Sequence, residues 1–319
     1  MAAATPAAAA APAGRALAAL ALVFNAFTWG VSWWPFRQMQ AVGLHPLWLT
    51  SFIFLIAVAV LLASRPAAWA ELRRTPSLWG LVLASGATNA CFNWGVSIGD
   101  VVRVVLLFYL MPLWTVLLSH WLLGERISAR GGFRVALALA GAVVVLWPGG
   151  DAASTAAAAA TGAPQAWLPH VALPNVALPD VLGLLGGFSF ALNNVMLRRE
   201  AHRGSGARAL AMFGGGAVVS LALAAVLTQA GLAPAPPPLA IGWGLATLAL
   251  AGWFLASNLT LQYGAARLPA NTTSVIMISE VFFASASALA LGAGTLGGRE
   301  ALGAAMILGG ALLAAVQKD

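Results

Sequence analysis

Charged residues are scarce in this chain of 319 residues, because Asp, Glu, Lys and Arg together make up only 8% of it. In an ordinary soluble domain the share is about 25%. Hydrophobic residues make up 61%, in apolar runs that recur from end to end. This composition excludes a soluble fold, and it excludes a soluble body carrying one membrane anchor. We therefore expect most of the chain to lie in a lipid bilayer.

Cysteine is nearly absent, since Cys91 is the one cysteine, so no disulfide forms within the chain. His and Cys residues form no cluster at the spacing of a metal site, and the sequence has no Walker-type glycine loop and no nucleophile elbow. We predict no metal and no cofactor, and ATP hydrolysis is excluded. The net charge of +7 does not indicate nucleic acid as a partner, because the basic residues are scattered beside the ends of apolar runs.

Apolar runs bounded by charge, proline or glycine predict an all-α membrane protein of ten transmembrane helices. Each span must be helical, because backbone groups in hydrocarbon need partners within their own segment. The predicted spans are residues 15–37, 45–64, 77–98, 102–122, 131–148, 180–198, 206–230, 239–263, 270–291 and 299–317.

The distribution of basic residues predicts the orientation. With ten spans and a cytoplasmic N-terminus, 13 of the 16 Lys and Arg residues fall on the cytoplasmic side. The three on the other side are Arg37, Arg103 and Arg299. Positive charge accumulates on the cytoplasmic side of membrane proteins. We expect a multi-pass protein of a bacterial inner membrane with both termini in the cytoplasm.

The chain divides into two five-helix units, residues 1–148 with an Ala-rich N-terminal tail and residues 180–319. Between them, residues 149–179 are rich in Ala and Pro and have no Lys or Arg, which favours a periplasmic tether over a binding epitope. An offset of 168 residues places Gly124 on Gly292. An odd number of spans per unit makes equivalent helices run in opposite directions, which is an inverted repeat. A substrate site is then expected between the units, near the bilayer midplane.

Short motifs in both units resemble a known transporter family. Phe27–Gly30 (Phe-Thr-Trp-Gly) lies in the first span, and Pro112 followed by Leu123–Arg126 (Leu-Gly-Glu-Arg) closes the fourth. With the five-plus-five arrangement, they resemble the EamA-type ten-helix members of the drug/metabolite transporter superfamily. Ser279–Ala284 is similar to the ninth helix of its amino-acid and metabolite exporters. The resemblance implies a basket-like bundle with a central cavity and secondary transport without ATP. The second unit departs from the pattern, because it reads Gly292–Gly294 where the first has Leu-Gly-Glu.

Glu280 is the first candidate for the substrate site. It lies about ten residues into the ninth span, where an acidic side chain costs a few kcal/mol, so it is expected to face a wet or paired interior. Two functional roles are open: binding a substrate ammonium group, and exchanging a proton. The alternative is a structural hydrogen bond to a neighbouring helix.

Amide side chains recur at helical spacing inside other spans. Residues four apart share a helix face, so these residues predict the polar walls of one cavity. Hydrogen bonding between helices is the alternative. The candidates are Asn89 with Asn93 in the third span, Asn193 in the sixth, and Asn258 with Gln262 in the eighth; Asn25 in the first span belongs to the same pattern.

Deep aromatic residues are candidates for the apolar part of a substrate or for a cation–π contact with an ammonium group. Contact with lipid is the alternative. These candidates are Trp29, Trp33, Trp94, Tyr109 and Tyr263.

Three further residues are candidates for gating. Pro112 and Pro35 free backbone carbonyls and permit bending, so they are candidate hinges, with a static kink as the alternative. Arg103 begins the fourth span at the outer side, with Asp100 three residues before it. A role at the outer gate competes there with a plain salt bridge.

These features predict a secondary transporter that exports small amphipathic metabolites, most simply amino acids and among them aromatic or hydrophobic ones, by alternating access. The alternatives are an importer or facilitator of a drug, sugar or polyamine, a passive channel, and a membrane-embedded lipid-processing enzyme. Because no catalytic pair is evident, we predict no enzymatic activity. The expected partners are a small-molecule substrate and the lipid bilayer, with protons as a hypothesis motivated by Glu280 and with a monomer or homodimer as the assembly.

Overall fold

The computed structural model describes residues 12–124, 129–147, 176–268 and 270–316. All regular structure in these ranges is helical, which confirms the predicted all-α class. The Ala-rich tail at residues 1–11 and most of the predicted tether between the units lie outside the described residues.

The described residues form fourteen helices, numbered here in chain order. They are α1 Pro12–Val31, α2 Trp33–Ala41, α3 Pro46–Ser64, α4 Ala67–Arg74, α5 Ser77–Ile98, α6 Val101–Phe108, α7 Met111–Leu123, α8 Ala129–Leu146, α9 Leu178–Arg199, α10 Ser205–Gln229, α11 Ile241–Ala265, α12 Ala270–Met277, α13 Ser279–Ala290 and α14 Gly298–Val316.

Six helical segments are long and apolar enough to cross a bilayer, so the chain is a multi-pass membrane protein. They are Gly14–Ala41, Pro46–Ser64, Val101–Leu122, Leu178–Arg199, Ser205–Gln229 and Ile241–Ala265. The α5 helix has the length of a span but carries polar residues through its middle, among them Asn89 and Asn93. The total of ten spans stays a prediction.

Three of the predicted spans are broken helices. The α1–α2 pair breaks at Ser32, the α6–α7 pair at Tyr109 and Leu110, and the α12–α13 pair at Ile278. A proline has no N–H for the carbonyl four residues before it, and its ring pushes against that carbonyl. The carbonyls facing Pro35 and Pro112 are those of the residues that end α1 and α6, Val31 and Phe108. The third break has no proline beside it.

The 168-residue offset aligns the helices of the two halves almost end to end. Residues 111–123 of α7 become 279–291, against Ser279–Ala290 in α13, and residues 12–31 of α1 become 180–199, against Leu178–Arg199 in α9. The break at Leu110 falls on the break at Ile278. Packing repeats in the same way, because α1 contacts α11 and α13 while α9 contacts their counterparts α5 and α7.

Gly124 and Gly292 end equivalent helices in the same backbone conformation. Their φ angles are 72° and 65°, in the left-handed region that favours glycine. Such a glycine stops a helix and redirects the chain. The two glycines that align in the sequence therefore end their helices with the same local structure in both halves.

The two ends of the bundle are defined by contacts between the halves. At the Arg37 end, the guanidinium of Arg103 at the start of α6 pairs with Asp180 at the start of α9. At the opposite end, called the Arg65 end, Arg65 donates to the Ser205 hydroxyl at 3.0 Å. There the backbone N–H of Gly204 also donates to a Glu71 carboxylate oxygen at 2.8 Å.

Candidate substrate-binding cavity

A cavity of about 940 Å³ lies between the two halves of the bundle. Its deep part is lined by residues near the helix breaks, among them Tyr109 and Glu280. From there it extends towards the Arg65 end, where its lining includes Arg198, an exposed residue near the end of α9. The cavity therefore reaches solvent at the Arg65 end.

Glu280 and Tyr109 meet where two broken helices face each other. The Tyr109 hydroxyl lies 3.2 Å from the Oε2 atom of Glu280 and 3.2 Å from the carbonyl oxygen of Met277, so it donates its one hydrogen to either acceptor. Glu280 is only partly buried and lines the cavity, whereas Tyr109 is almost fully buried behind it. This arrangement holds the carboxylate at the cavity wall while leaving it accessible.

Two buried asparagines, equivalent under the 168-residue offset, supply amide groups to the cavity wall. The Asn25 side-chain nitrogen donates to the carbonyl and the hydroxyl oxygens of Ser257, at 2.9 and 2.7 Å. The side-chain oxygens of Asn25 and Asn193 have no hydrogen-bond partner among the described residues. A buried polar atom without a partner is costly, so these oxygens are suited to accept a hydrogen bond from water or from a substrate.

Aromatic rings form the deep end of the cavity. The Trp29 ring lies 4.8 Å from the ring of Phe254 and 6.4 Å from that of Phe92, measured between centroids. Phe108 extends the cluster, at 4.8 Å from Phe92 and 5.5 Å from Phe190. All five rings line the cavity, which suits the apolar part of an amphipathic molecule.

Three charged side chains line the cavity among the residues described: Glu280, Arg134 and Arg198. Arg134 is buried, with 6% of its surface exposed. The sequence interpretation assigned both arginines to the positive-inside pattern and missed their place in the cavity wall. The sequence does not show that the Arg134 side chain is buried, because the positive-inside rule already explains a basic residue at that position.

Eight of the predicted residues line the cavity. They are Glu280, Asn89, Trp29, Tyr109, Asn193, Asn258, Pro112 and Asn25. They lie on six different parts of the chain, so the fold brings them together from both halves. Their roles in binding or gating stay predictions.

Three of the residues predicted to bind substrate lie towards the Arg37 end, outside the cavity lining. The Asn93 side chain donates to the Thr50 hydroxyl at 3.1 Å, because α3 packs against α5 at that level. The Trp33 indole N–H donates to the Ser287 hydroxyl at 2.9 Å. The Trp94 ring packs against that of His45, with 5.5 Å between centroids.

Gln262 and Tyr263 also lie outside the lining, near the end of α11. The Gln262 amide donates to the side-chain oxygen of Asn258 at 2.8 Å, so it contacts the cavity wall through another residue. Arg267 lies over the Tyr263 ring, 3.7 Å from its centroid. The Tyr263 ring is therefore covered by a cation of the chain itself.

The Arg37 end is closed by polar contacts across the two halves. Arg103 donates to both carboxylate oxygens of Asp180, at 2.6 and 3.0 Å, and Asp180 is buried. The Asp100 carboxylate accepts from the backbone N–H of Thr295 at 2.7 Å. Within the first half, Arg37 donates to the carbonyl oxygens of Val96 and Gly99, which ties α2 to the end of α5.

A layer of apolar side chains separates these contacts from the cavity. Val101, Val105 and Ala288 are buried in one cluster with Trp33 and Phe92. The cavity is therefore open at the Arg65 end and closed at the Arg37 end. Pro35, the third residue of α2, lies at this closed end, two residues before Arg37.

Comparisons with known proteins agree with this architecture. One solved crystal structure resembles the chain with a TM-score of 0.53 and 20% sequence identity, over 95% of this chain and 97% of that one, which supports the fold alone. A Pseudomonas aeruginosa protein named as an uncharacterized transporter is 34% identical over 95 residues. That match covers 28% of this chain and about a third, 32%, of the relative.

The family resemblance inferred from the sequence rests on motifs in both halves, and a family match covers most of the first half. Residues 16–147 match the family described as the EamA-like transporter family. This match confirms the predicted resemblance. Residues 16–147 of this multi-pass membrane protein are thus similar to the EamA-like transporter family.

Proposed function

We propose that this protein is a secondary transporter that moves small amphipathic metabolites, most simply amino acids, by alternating access. The observation that carries the proposal is the cavity between the two halves, which is open at the Arg65 end and closed at the Arg37 end. A carrier needs a central site that is exposed to one side at a time.

The residues that line the cavity favour an amphipathic substrate. Its deep end carries five aromatic rings, and the Glu280 carboxylate and the free amide oxygens lie beside them. Apolar walls with a few placed polar groups are typical of small-molecule sites.

In this proposal, the breaks in the helices are the points about which the two halves move. The α6–α7 and α12–α13 breaks meet at Tyr109 and Glu280, next to the substrate site. Rocking of the halves about this contact would open the Arg37 end and close the Arg65 end. With the Arg65 end in the cytoplasm, as the distribution of basic residues predicts, the described state faces inward.

Counterflow in proteoliposomes tests the proposal. Vesicles loaded with one unlabelled amino acid are diluted into the same labelled amino acid, across a panel from glycine to tryptophan. A carrier accumulates label transiently and saturates with concentration. Label that only equilibrates, at a rate linear in concentration, would indicate a channel and contradict the proposal. Protein-free vesicles are the control.

A further inference from the structure

Glu280 is the one acidic side chain in the described lining of the cavity. Among the residues that the structure describes, it has no ion pair, and its hydrogen-bond partner is the neutral hydroxyl of Tyr109 at 3.2 Å. A charge that is partly removed from water is costly unless a charge of opposite sign lies beside it. The Glu280 carboxylate is therefore suited to pair with a cationic group of a bound molecule.

The two arginines of the lining do not neutralise this carboxylate. Arg134 and Arg198 both interact with other groups of the chain, and neither forms an ion pair with Glu280. Arg198 lies next to the last residue of α9, at the Arg65 end, and Arg134 lies in the first turns of α8. Glu280 lies beside the helix breaks, at the deep end, where its charge is available to a ligand.

Aromatic rings lie close to the carboxylate on two elements. A Cβ atom added at Gly30 would lie 2.8 Å from the Glu280 carbonyl oxygen, so the backbones of α1 and α13 approach closely there, and Trp29 is the residue before Gly30. Phe108 is the residue before Tyr109, and the centroids of their rings lie 6.2 Å apart. Trp29 and Phe108 both line the cavity. An apolar group bound against these rings therefore lies close to the Glu280 carboxylate.

Two amide oxygens add further acceptors to the cavity wall. The side-chain oxygens of Asn25 and Asn193 are buried without a hydrogen-bond partner among the described residues. Asn25 lies five residues before Gly30, which is about 7.5 Å along α1. An ammonium group has three N–H donors and no acceptor, whereas a carboxylate has acceptors alone. This set of acceptors therefore suits an ammonium group and disfavours a carboxylate.

We propose that the Glu280 carboxylate binds the protonated amine of the transported molecule while the rings of Trp29 and Phe108 hold its apolar part. The ammonium group is then the group that cargo requires, and a carboxylate is not. Amino acids and simple amphipathic amines belong to this class, and organic acids without an amine do not. This inference rests on the proposed transport function and names the substrate class of its cavity.

Two molecules with one carbon skeleton test the subsite: phenethylamine, which carries an ammonium group, and 3-phenylpropionate, which carries a carboxylate instead. Binding to the purified full-length protein is measured by titration calorimetry at neutral pH, where both are ionised. Phenethylamine is expected to bind, and 3-phenylpropionate at least about tenfold more weakly, because a charge-assisted hydrogen bond contributes more than 1.4 kcal/mol, a factor of ten. Affinity for 3-phenylpropionate within tenfold of that for phenethylamine, or no binding of phenethylamine, would overturn the inference.

Variants locate the effect at Glu280. Glu280→Gln keeps the size of the side chain and removes its charge, so it is expected to weaken phenethylamine binding at least about tenfold. Glu280→Asp keeps the charge and is expected to retain part of the affinity. Glu71→Gln is the matched control, since Glu71 lies at the Arg65 end and outside the cavity lining. Equal phenethylamine affinity in Glu280→Gln and Glu71→Gln, with both proteins melting like wild type, overturns the inference.

Counterflow of labelled phenylalanine separates this inference from the transport proposal. Phenethylamine is expected to inhibit it, and 3-phenylpropionate is not. Counterflow that 3-phenylpropionate inhibits and phenethylamine does not overturns the subsite and leaves the carrier standing. Selective binding of phenethylamine, with channel-like equilibration of phenylalanine, supports the subsite and contradicts the carrier.

Discussion

Tyr109 and Glu280 join the two halves of the bundle where their helices break. The hydroxyl of Tyr109 lies 3.2 Å from a carboxylate oxygen of Glu280, with the first residue in the α6–α7 break and the second just after the α12–α13 break. The 168-residue offset places Tyr109 on Met277, whose carbonyl accepts from the same hydroxyl. The contact thus links symmetry-related positions at the wall of the cavity.

Substitution of Glu280 by Gln tests whether this carboxylate exchanges protons during transport. Gln keeps the size and one acceptor but has no proton to exchange. We expect Glu280→Gln to abolish any stimulation of amino-acid flux by a pH gradient in proteoliposomes. The control is Glu71→Gln, because Glu71 contacts Gly204 at the Arg65 end and lies outside the cavity lining. Wild-type flux that is the same with and without the gradient, and unchanged in Glu280→Gln, would remove the coupling hypothesis.

The ion pair between Arg103 and Asp180 is expected to hold the Arg37 end closed. Removal of Arg103 leaves the buried Asp180 carboxylate without its ion-pair partner, which costs about 3 to 5 kcal/mol in such sites. In a Cys91→Ala background, we expect Arg103→Gln to speed the labelling of Ser97→Cys by an impermeant maleimide at least about tenfold, since each 1.4 kcal/mol is a factor of ten. Ser97 is buried at the same end.

The control for this labelling is Arg299→Gln. Arg299 donates to the Val144 carbonyl oxygen across a longer 3.4 Å contact. Labelling that rises equally in both variants would show that Arg103 has no special part in closure. Combining Arg103→Gln with Asp180→Asn should return part of the lost stability, because no buried charge is then left alone.

Gly124 and Gly292 are expected to contribute to stability through their backbone alone. A Cβ added at either position meets nothing within 4 Å, so the left-handed conformation is the whole cost of an alanine there. We expect Gly124→Ala and Gly292→Ala each to lower the free energy of unfolding by about 1 to 2 kcal/mol in thermal or denaturant melts.

Gly252→Ala is the matched control for this prediction. Gly252 also has open space around its Cβ position, but it lies within the α11 helix. Alanine is favoured over glycine in a helix by about 1 kcal/mol. This variant should therefore gain stability, and a loss like that of the other two would contradict the backbone explanation.

His45 predicts a dependence of stability on pH. Its Nδ1 atom accepts from the Leu47 backbone N–H at 3.3 Å, so it caps α3 in its neutral form, and burial lowers the pKa of His45 below its usual range. Because the folded state binds the proton less readily than the unfolded state, this stability is complete above about pH 6.5 and is lost as the pH falls.

Melting temperatures between about pH 7.5 and 5.5 check this prediction. The wild type should melt at a lower temperature as the pH falls, and His45→Asn should lose less, because Asn caps helices without titrating. An equal loss in both proteins would assign the effect to other groups.

Helix positions were predictable from the sequence because charge, proline and glycine bound each apolar run. The break at Ile278 was not, since no proline or glycine lies beside it, whereas Pro35 and Pro112 marked the other two breaks. The second unit begins at Leu178, two residues before the predicted start of its first span.

The cavity was predictable only in part. Helical spacing identified Asn89, but it also selected Asn93 one turn further on, where Thr50 of α3 satisfies the amide. Spacing along one helix defines a face but does not show where a neighbouring helix covers that face. For Arg134 the sequence interpretation missed a lining residue. The positive-inside rule accounts for an arginine beside a span end whether or not its side chain faces the cavity.

The most direct test of the carrier is the accessibility of Met111, which lies beside the α6–α7 break and lines the cavity. Met111→Cys in a Cys91→Ala background is labelled with an impermeant maleimide from each side of the membrane, with and without cargo. The account predicts labelling from the Arg65 end without cargo, and a share of labelling from the Arg37 end that rises when cargo is turning over. Labelling from one end alone in every condition would contradict it.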